Sequence, residues 1–319
     1  MTLGPSLFHE QWWLQATTGG QYLEVKFMQG DHLAGRLPFI ITRKFGFRML
    51  RMPPFTHVLG PAVDSGSGKY QTRLVNRLSV VRSLIDQLPH FDFFKQAIDP
   101  KIDDGLALSD GLAFQDRSFQ ISPQYTFEID CRSGGIESLW NRMHFKVRQH
   151  IRRAEANCTV ATVDDPQRFS SFYLDNLRKS GRKSNIQFGQ FPVLFSECCA
   201  RKCGMVLAAL QPNGTAVAMA YFVWGHGTMY NLLSTRALDV TDNGATSLLI
   251  WSAIKKAHEL GLLFDFDGIA TQGIGRFYSG FGGEVRTRLI VTCGRPTYRA
   301  AEYLKKTISR PDIDSSDYT

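Results

Sequence analysis

Residues 203–267 constrain the fold more than any other stretch of the chain. "CGMVLAALQPNGTAVAMAYFVWGHGTMYNLLSTRAL" reads as three apolar, strand-length runs broken at Pro212-Asn213-Gly214 and Gly225-His226-Gly227. Both breaks carry good hairpin signals, so the runs are predicted to form a meander. "GATSLLIWSAIKKAHELG" then predicts a helix, with Thr241, Asp242 and Asn243 as capping candidates and Gly261 at its exit. "FDFD" (264–267) alternates again as a strand. Meander, helix, strand is the signature of a mixed α/β unit.

The first part of the chain has a related order. Residues 19–54 alternate with a period of two, with "QGDH" and "KFGF" as turns. In "GKYQTRLVNRLSVVRSLIDQLPH", Leu74, Leu78, Val81 and Leu84 fall at helical intervals and Pro89 stops the run. "HFDFFKQAID" returns to strand character, as does "YTFEID" (125–130) after it. "TVATVDD" predicts a further strand, and two helices are expected at 166–181 and 191–202. Two α/β units of similar size are therefore expected, over 1–125 and 126–308, with a frayed polar tail at 309–319. Neither contains GxGxxG or GxxxxGK[ST], which disfavours a Rossmann or P-loop nucleotide site.

Composition narrows the class further. The opening residues lack a basic stretch followed by an apolar run, and no apolar run is long enough to span a bilayer. A cytoplasmic protein is expected, with peripheral membrane contact left open. Six irregularly spaced cysteines do not make a disulfide framework, and "CCARKC" lacks the second ligand pair of a zinc site, so no metal is expected. The formal charge of +8 suits polyanionic partners such as RNA, phosphorylated ligands or anionic lipid headgroups, without choosing among them.

Three segments carry candidate chemistry. "IESLWNRMHFKVRQHIRRAEAN" (136–157) reads as one helix, with Ile136, Leu139, Trp140, Met143, Val147, Ile151 and Ala154 on an apolar arc. Arg142, Lys146 and Arg153 lie opposite, Arg148 and Arg152 alongside, and Phe145 stands alone among the cations. This is either a solvated face or a phosphate-facing one. The start of the helix after the meander offers unpaired peptide N–H groups to a pyrophosphate or serves only as a cap, with Asn243, Gly244, Ala245 and Thr246 as candidate donor-site residues. The third segment, "FDFDGIATQGIGRFYSGFGGE" (264–284), places Asp265 and Asp267 on one strand face ahead of a glycine-rich aromatic loop. Two neighbouring carboxylates should raise one pKa and suit it to proton transfer.

"FDFDGI" followed by "RFYSGFGGE", the basic "VRQHIRRAEAN" and the diproline "RMPPFTHVLGP" (51–61) together resemble the Fem-type branch of the GNAT acyltransferase superfamily. That branch includes the aminoacyl transferases of peptidoglycan bridges and their acetyltransferase-like relatives. The resemblance covers most of the chain and implies an α/β (α+β) fold: a tandem of two GNAT-like domains, each a mixed, largely antiparallel sheet flanked by helices. It also implies transfer of an acyl or aminoacyl group to an amine of a cell-envelope precursor or small metabolite. The co-substrate would be aminoacyl-tRNA or acyl-CoA, with no tightly bound cofactor. Two departures pull apart. Where the superfamily's coenzyme A loop usually reads Gln/Arg-x-x-Gly-x-Gly/Ala, this chain has Thr241, Gly244 and Thr246, which shifts weight towards tRNA. Tyr278 stands where Fem-type aminoacyl transferases often carry lysine, which favours CoA. No heptad run supplies the long helical arm of some Fem enzymes.

Asp267, Asp265 and Tyr230 are the expected catalytic groups, and Arg148 and Arg152 join the helix start as donor contacts. His57, Tyr221, Asn231, Ser234, Arg276, Tyr278 and Phe281 are the expected acceptor contacts, with Arg276 alternatively pairing with Glu284. A non-catalytic nucleic-acid-binding protein using the basic helix is the remaining alternative, and it leaves the aspartate–glycine segment unexplained.

Overall fold

The computed structural model describes residues 3–181, 188–240, 244–269 and 271–308, so Thr241, Asp242, Asn243 and the 309–319 tail lie outside the described residues. The chain begins with α1 (Gln11–Thr18) and runs through β1 (Leu23–Gln29), β2 (His32–Lys44), β3 (Phe47–Arg51) and β4 (Ala62–Val63). Then come α2 (Tyr70–Asp86), β5 (Phe93–Ile98), α3 (Asp110–Gln115) and β6 (Gln120–Asp130). The second half holds α4 (Ile136–Arg142), α5 (Phe145–Asn157), β7 (Thr159–Thr162), α6 (Pro166–Lys179) and α7 (Phe191–Ala200). The expected meander is β8 (Gly204–Leu210), β9 (Ala216–Gly225) and β10 (Thr228–Arg236), followed by α8 (Ala245–Glu259) and β11 (Leu263–Asp265). The chain closes with α9 (Gln272–Ser279), β12 (Glu284–Gly294) and α10 (Pro296–Ile308).

The described strands join in one sheet, ordered β1-β2-β3-β5-β12-β6-β11-β10-β9-β8-β7, with β4 on β2. Two α/β halves are thus fused edge to edge. The expected boundary at 125/126 falls inside β6, and the join is closed from the far end of the chain. β12 pairs antiparallel with β6 from Glu284 to Thr292, and with β5 from Leu289 to Gly294.

Three apolar cores follow from strand alternation. On β9, Ala218, Ala220 and Phe222 pack into the core beneath α5 and α8, while Met219, Tyr221 and Val223 enter the one beneath α1, α6 and α7. The third core joins α2 and α3 to β2, β3 and β5 through Leu37, Leu50, Val81, Leu84, Phe94 and Phe114.

Two expectations about helices are corrected. The run 136–157 is not one helix: Met143 is extended (ψ 145°), and the His144 side chain accepts from Lys146 N to start α5. The apolar arc survives the break, because Leu139, Met143, Val147, Ile151 and Ala154 are all buried. The 268–284 segment is not simply a loop either, since it contains α9, capped by the Thr271 hydroxyl on Ile274 N.

Candidate active site

The local geometry of β10 opens the site. β10 runs parallel to β11 only from Thr228 to Tyr230, after which β11 ends at Asp265. Its pairing with β9 continues to Arg236, interrupted by a bulge between Asn231 and Leu233. A bulge re-aims peptide groups, and a strand that has lost one neighbour leaves one edge unclaimed by the ladder. A cavity of about 650 Å³ fills the resulting split. Its walls come from β10 (Ser234, Thr235, Arg236), the start of α8 (Gly244, Thr246, Ser247), α6 (Tyr173, Asn176), α9 (Phe277, Tyr278) and His150 of α5.

Glycines let these walls approach. Gly244 has φ 80°, and a Cβ there would lie 2.2 Å from the His150 carbonyl oxygen. A Cβ on Gly282 (φ 79°) would lie 2.6 Å from the Arg142 carbonyl oxygen, and His144 N donates to Gly280 O at 2.8 Å. The glycine-rich sequence after β11 thus docks α9 against the α4–α5 corner, rather than forming a free flap.

In the cavity wall, the Tyr278 hydroxyl accepts from Asn231 Nδ2 at 3.3 Å, and the lining residue Ser234 hydrogen-bonds the same phenol. Asn231 Oδ1 is buried and has no partner among the described residues. Burial raises the Tyr278 pKa, and the Asp267 charge adds to the effect, so the phenol keeps its proton at neutral pH.

Asp267 lies just beyond β11 with φ 64°, a left-handed conformation unusual for a residue other than glycine. Its side chain is fully buried. Oδ1 accepts from Arg288 Nη1 at 2.7 Å, and Oδ2 meets His57 Nδ1. Asp265, also buried, accepts from Arg288 Nη2 at 2.8 Å through Oδ2, and from Thr126 Oγ1 (2.6 Å) and Asp267 N (2.7 Å) through Oδ1. One guanidinium on β12 therefore bridges both carboxylates, and the expectation of a raised, proton-accepting Asp267 is corrected. Burial alone would push its pKa up, but His57 and Arg288 together hold it below the usual carboxylate range. An ionised carboxylate can only accept, so His57 Nδ1 presents its hydrogen to Oδ2 and Nε2 points away from the pair. The imidazole is 28% exposed, against 0% for the carboxylate.

Among the other expected residues, Tyr230 is buried against Phe8, with Lys101, Asp99, Asp265 and Arg288 close enough to act on its phenol, whose pKa burial raises. Tyr221 and Phe281 do not line the cavity: Tyr221 packs on Phe191 and Phe281 on Phe266, both inside cores. Arg148 and Arg152 also lie off its walls. Arg148 Nη1 caps the Asn141 carbonyl at 3.1 Å, and Arg152 stacks over Trp140. Arg276 is exposed and absent from the cavity lining, and Glu284 pairs with Arg286 instead. Ala245 is buried beside the lining residues Gly244 and Thr246, and Asn243 falls outside the described residues.

Sequence reasoning missed Arg288, Thr126, Lys101 and Glu128. Lys101 Nζ lies 2.5 Å from Glu128 Oε1 and 3.4 Å from Asp99 Oδ2. The available signal was an arginine at an inward position of a β strand, which needs a carboxylate partner.

Comparison with known proteins agrees with this architecture. Residues 141–275 match the acetyltransferase (GNAT) domain family. Over the whole chain the fold is similar to that of FemX, with a TM-score of 0.64 at 12% identity, covering 92% of this chain and 93% of that one. L-PGS from Bacillus licheniformis gives 0.52 at 13% identity, covering 93% of each chain. A tandem GNAT protein from the clavulanic acid biosynthesis pathway gives 0.50 at 8% identity, covering 86% of this chain and 83% of that one. No curated protein matches by sequence. The fold is thus that of GNAT-like units in tandem, with residues 141–275 matching the GNAT domain family and the whole chain similar in fold to FemX.

Proposed function

We propose that the protein transfers an aminoacyl or acyl group from an activated donor to an amine, with the donor carbonyl entering through the β10–α8–α9 cavity. The observation that carries this reading is Tyr278 in the cavity wall, whose phenol feels the charge of Asp267, the buried carboxylate paired with His57. Acyl transfer needs a base for the attacking ammonium and donors for the oxyanion. His57, oriented by a buried carboxylate, takes the amine proton at Nε2. Peptide N–H groups at the β10 bulge and the protonated Tyr278 phenol receive the carbonyl oxygen as its charge develops. Breakdown of the tetrahedral intermediate expels the ribose hydroxyl or thiol, protonated by the imidazolium. The orphaned Asn231 Oδ1 fits an N–H of the substrate, such as that of an aminoacyl group.

We favour aminoacyl-tRNA as donor and an amine of an envelope precursor or small metabolite as acceptor. Gly244, the surviving glycine of the coenzyme A pattern, is already required by its contact with His150. The acyl-CoA alternative draws support from Thr246 and Ser247, which bring the first turn of α8 to the cavity. Binding of both donors measured against salt separates them. A tRNA complex loses affinity steeply with log[salt] as counterions leave the phosphates, and binding of acyl-CoA alone overturns the tRNA assignment. Tyr278→Phe should lower kcat by about 10-fold to 100-fold for the true donor while leaving its binding within a few-fold. An unchanged kcat would remove Tyr278 from the mechanism.

A further inference from the structure

Away from the cavity, the outer end of the N-terminal half combines exposed apolar side chains with cations. β3 pairs parallel with β5 so that Met49 lies opposite Phe93 and Arg51 opposite Lys95. Phe94 and Ile98 face the core under α2 and α3, so Phe93 and Lys95 point to the other side of the sheet. α10 lies across that side: Tyr298 stacks on Phe93 at 4.6 Å and meets Phe47 edge-on at 5.4 Å. At about 100° per residue, Tyr303 and Leu304 sit on the side of α10 away from Tyr298, and they are 71% and 60% exposed. Two residues before Phe47, the tip of the β2–β3 hairpin presents Phe45, 79% exposed and flanked by Lys44. Arg51 covers the Phe93 ring at 5.7 Å, and Lys44, Arg51, Lys95 and Arg299 are all exposed.

We propose that this end of the molecule docks on an anionic lipid surface, with Phe45, Tyr303 and Leu304 entering the headgroup region and the surrounding cations meeting lipid phosphates. The chemistry selects a bilayer. Apolar tips beside lysine and arginine combine hydrophobic insertion with attraction to negative headgroups, the two components of interfacial binding. A nucleic acid would also suit the cations but would give Leu304 nothing to enter. Among the described residues no helix is long and apolar enough to cross a membrane, so attachment would be peripheral.

The test is co-sedimentation of the full chain with phosphatidylcholine vesicles, with and without about one-third phosphatidylglycerol. Binding is expected to the anionic vesicles only and to weaken with salt. The triple variant Phe45→Ser, Tyr303→Ser, Leu304→Ser should lower the partition coefficient at least about tenfold, since each side chain buries several CH₂ equivalents. These side chains are exposed, so an unchanged circular dichroism spectrum is expected and shows that the fold is kept. Equal partition of the triple variant, or no binding to anionic vesicles, overturns the proposal. So does a surface that tRNA occupies equally well in the wild type and the triple variant, which would assign the cations to nucleic acid.

Discussion

Asp267 shows how far one residue's environment decides its role. A lone buried carboxylate would titrate upwards, but the Arg288 guanidinium and His57 reverse the direction, so Asp267 stays charged and acts on the imidazole. Asp267→Asn should therefore lower kcat by about 10²–10⁴ by releasing the imidazole tautomer. It should leave donor binding nearly unchanged, and an undiminished kcat would show that the dyad is structural. The same variant has a pH signature in stability. With the folded pKa below the unfolded value of ~3.9, the stability contributed by Asp267 is complete above that pH and is lost as pH falls through the folded pKa. Urea unfolding at neutral pH should show the variant weaker than wild type, with the gap closing in strong acid; a gap that persists there would contradict the ion-pair account. The sequence made Tyr230, Asn231 and Ser234 visible as polar residues on apolar strands and Asp267 visible as one of two paired carboxylates; the structure joins Asn231 and Ser234 to Tyr278, and His57 to Asp267. It could not show Arg288 between the aspartates, because that pairing depends on strand register across β6 rather than on local pattern.

Elements explain why the glycines after β11 look excessive for a loop. α9 is short and contains Gly273 and Gly275, so its position depends on docking against the α4–α5 corner more than on propensity. Gly282→Ala places a methyl 2.6 Å from the Arg142 carbonyl oxygen at a left-handed backbone position. A cost of roughly 2–4 kcal/mol is expected, from left-handed strain plus overpacking. Because α9 carries Tyr278, donor binding should weaken along with the unfolding midpoint. A variant with wild-type midpoint and binding would mean that α9 holds its place without this contact. Periodicity could find the apolar arc of 136–157 but not its break, since Leu139 to Ala154 remain buried on either side of His144. A helical stagger continues across a corner when both arms pack on the same core.

For the whole molecule, duplicated α/β order was legible in the alternation of periods, whereas fusion into one sheet was not. Nothing local in "EVRTRLIVTC" says that it sits between β5 and β6. That placement makes the last strand a shared part of both halves, and Arg288 on it reaches the two aspartates at the end of β11. Removing one half would expose a long strand edge and strand a buried guanidinium, so the halves should unfold together. The native tryptophans pack in the core under α5 and α8 or in the one under α1, α6 and α7, with none in the core under α2 and α3. Phe91→Trp therefore adds the missing probe at the edge of that third core. Urea unfolding followed through it should coincide with the far-ultraviolet circular dichroism transition, in a single step. Resolved transitions, with the first-half probe melting separately, would mean that β12 is a peripheral tie and that the position of His57 against Asp267 is set by something weaker than the shared sheet.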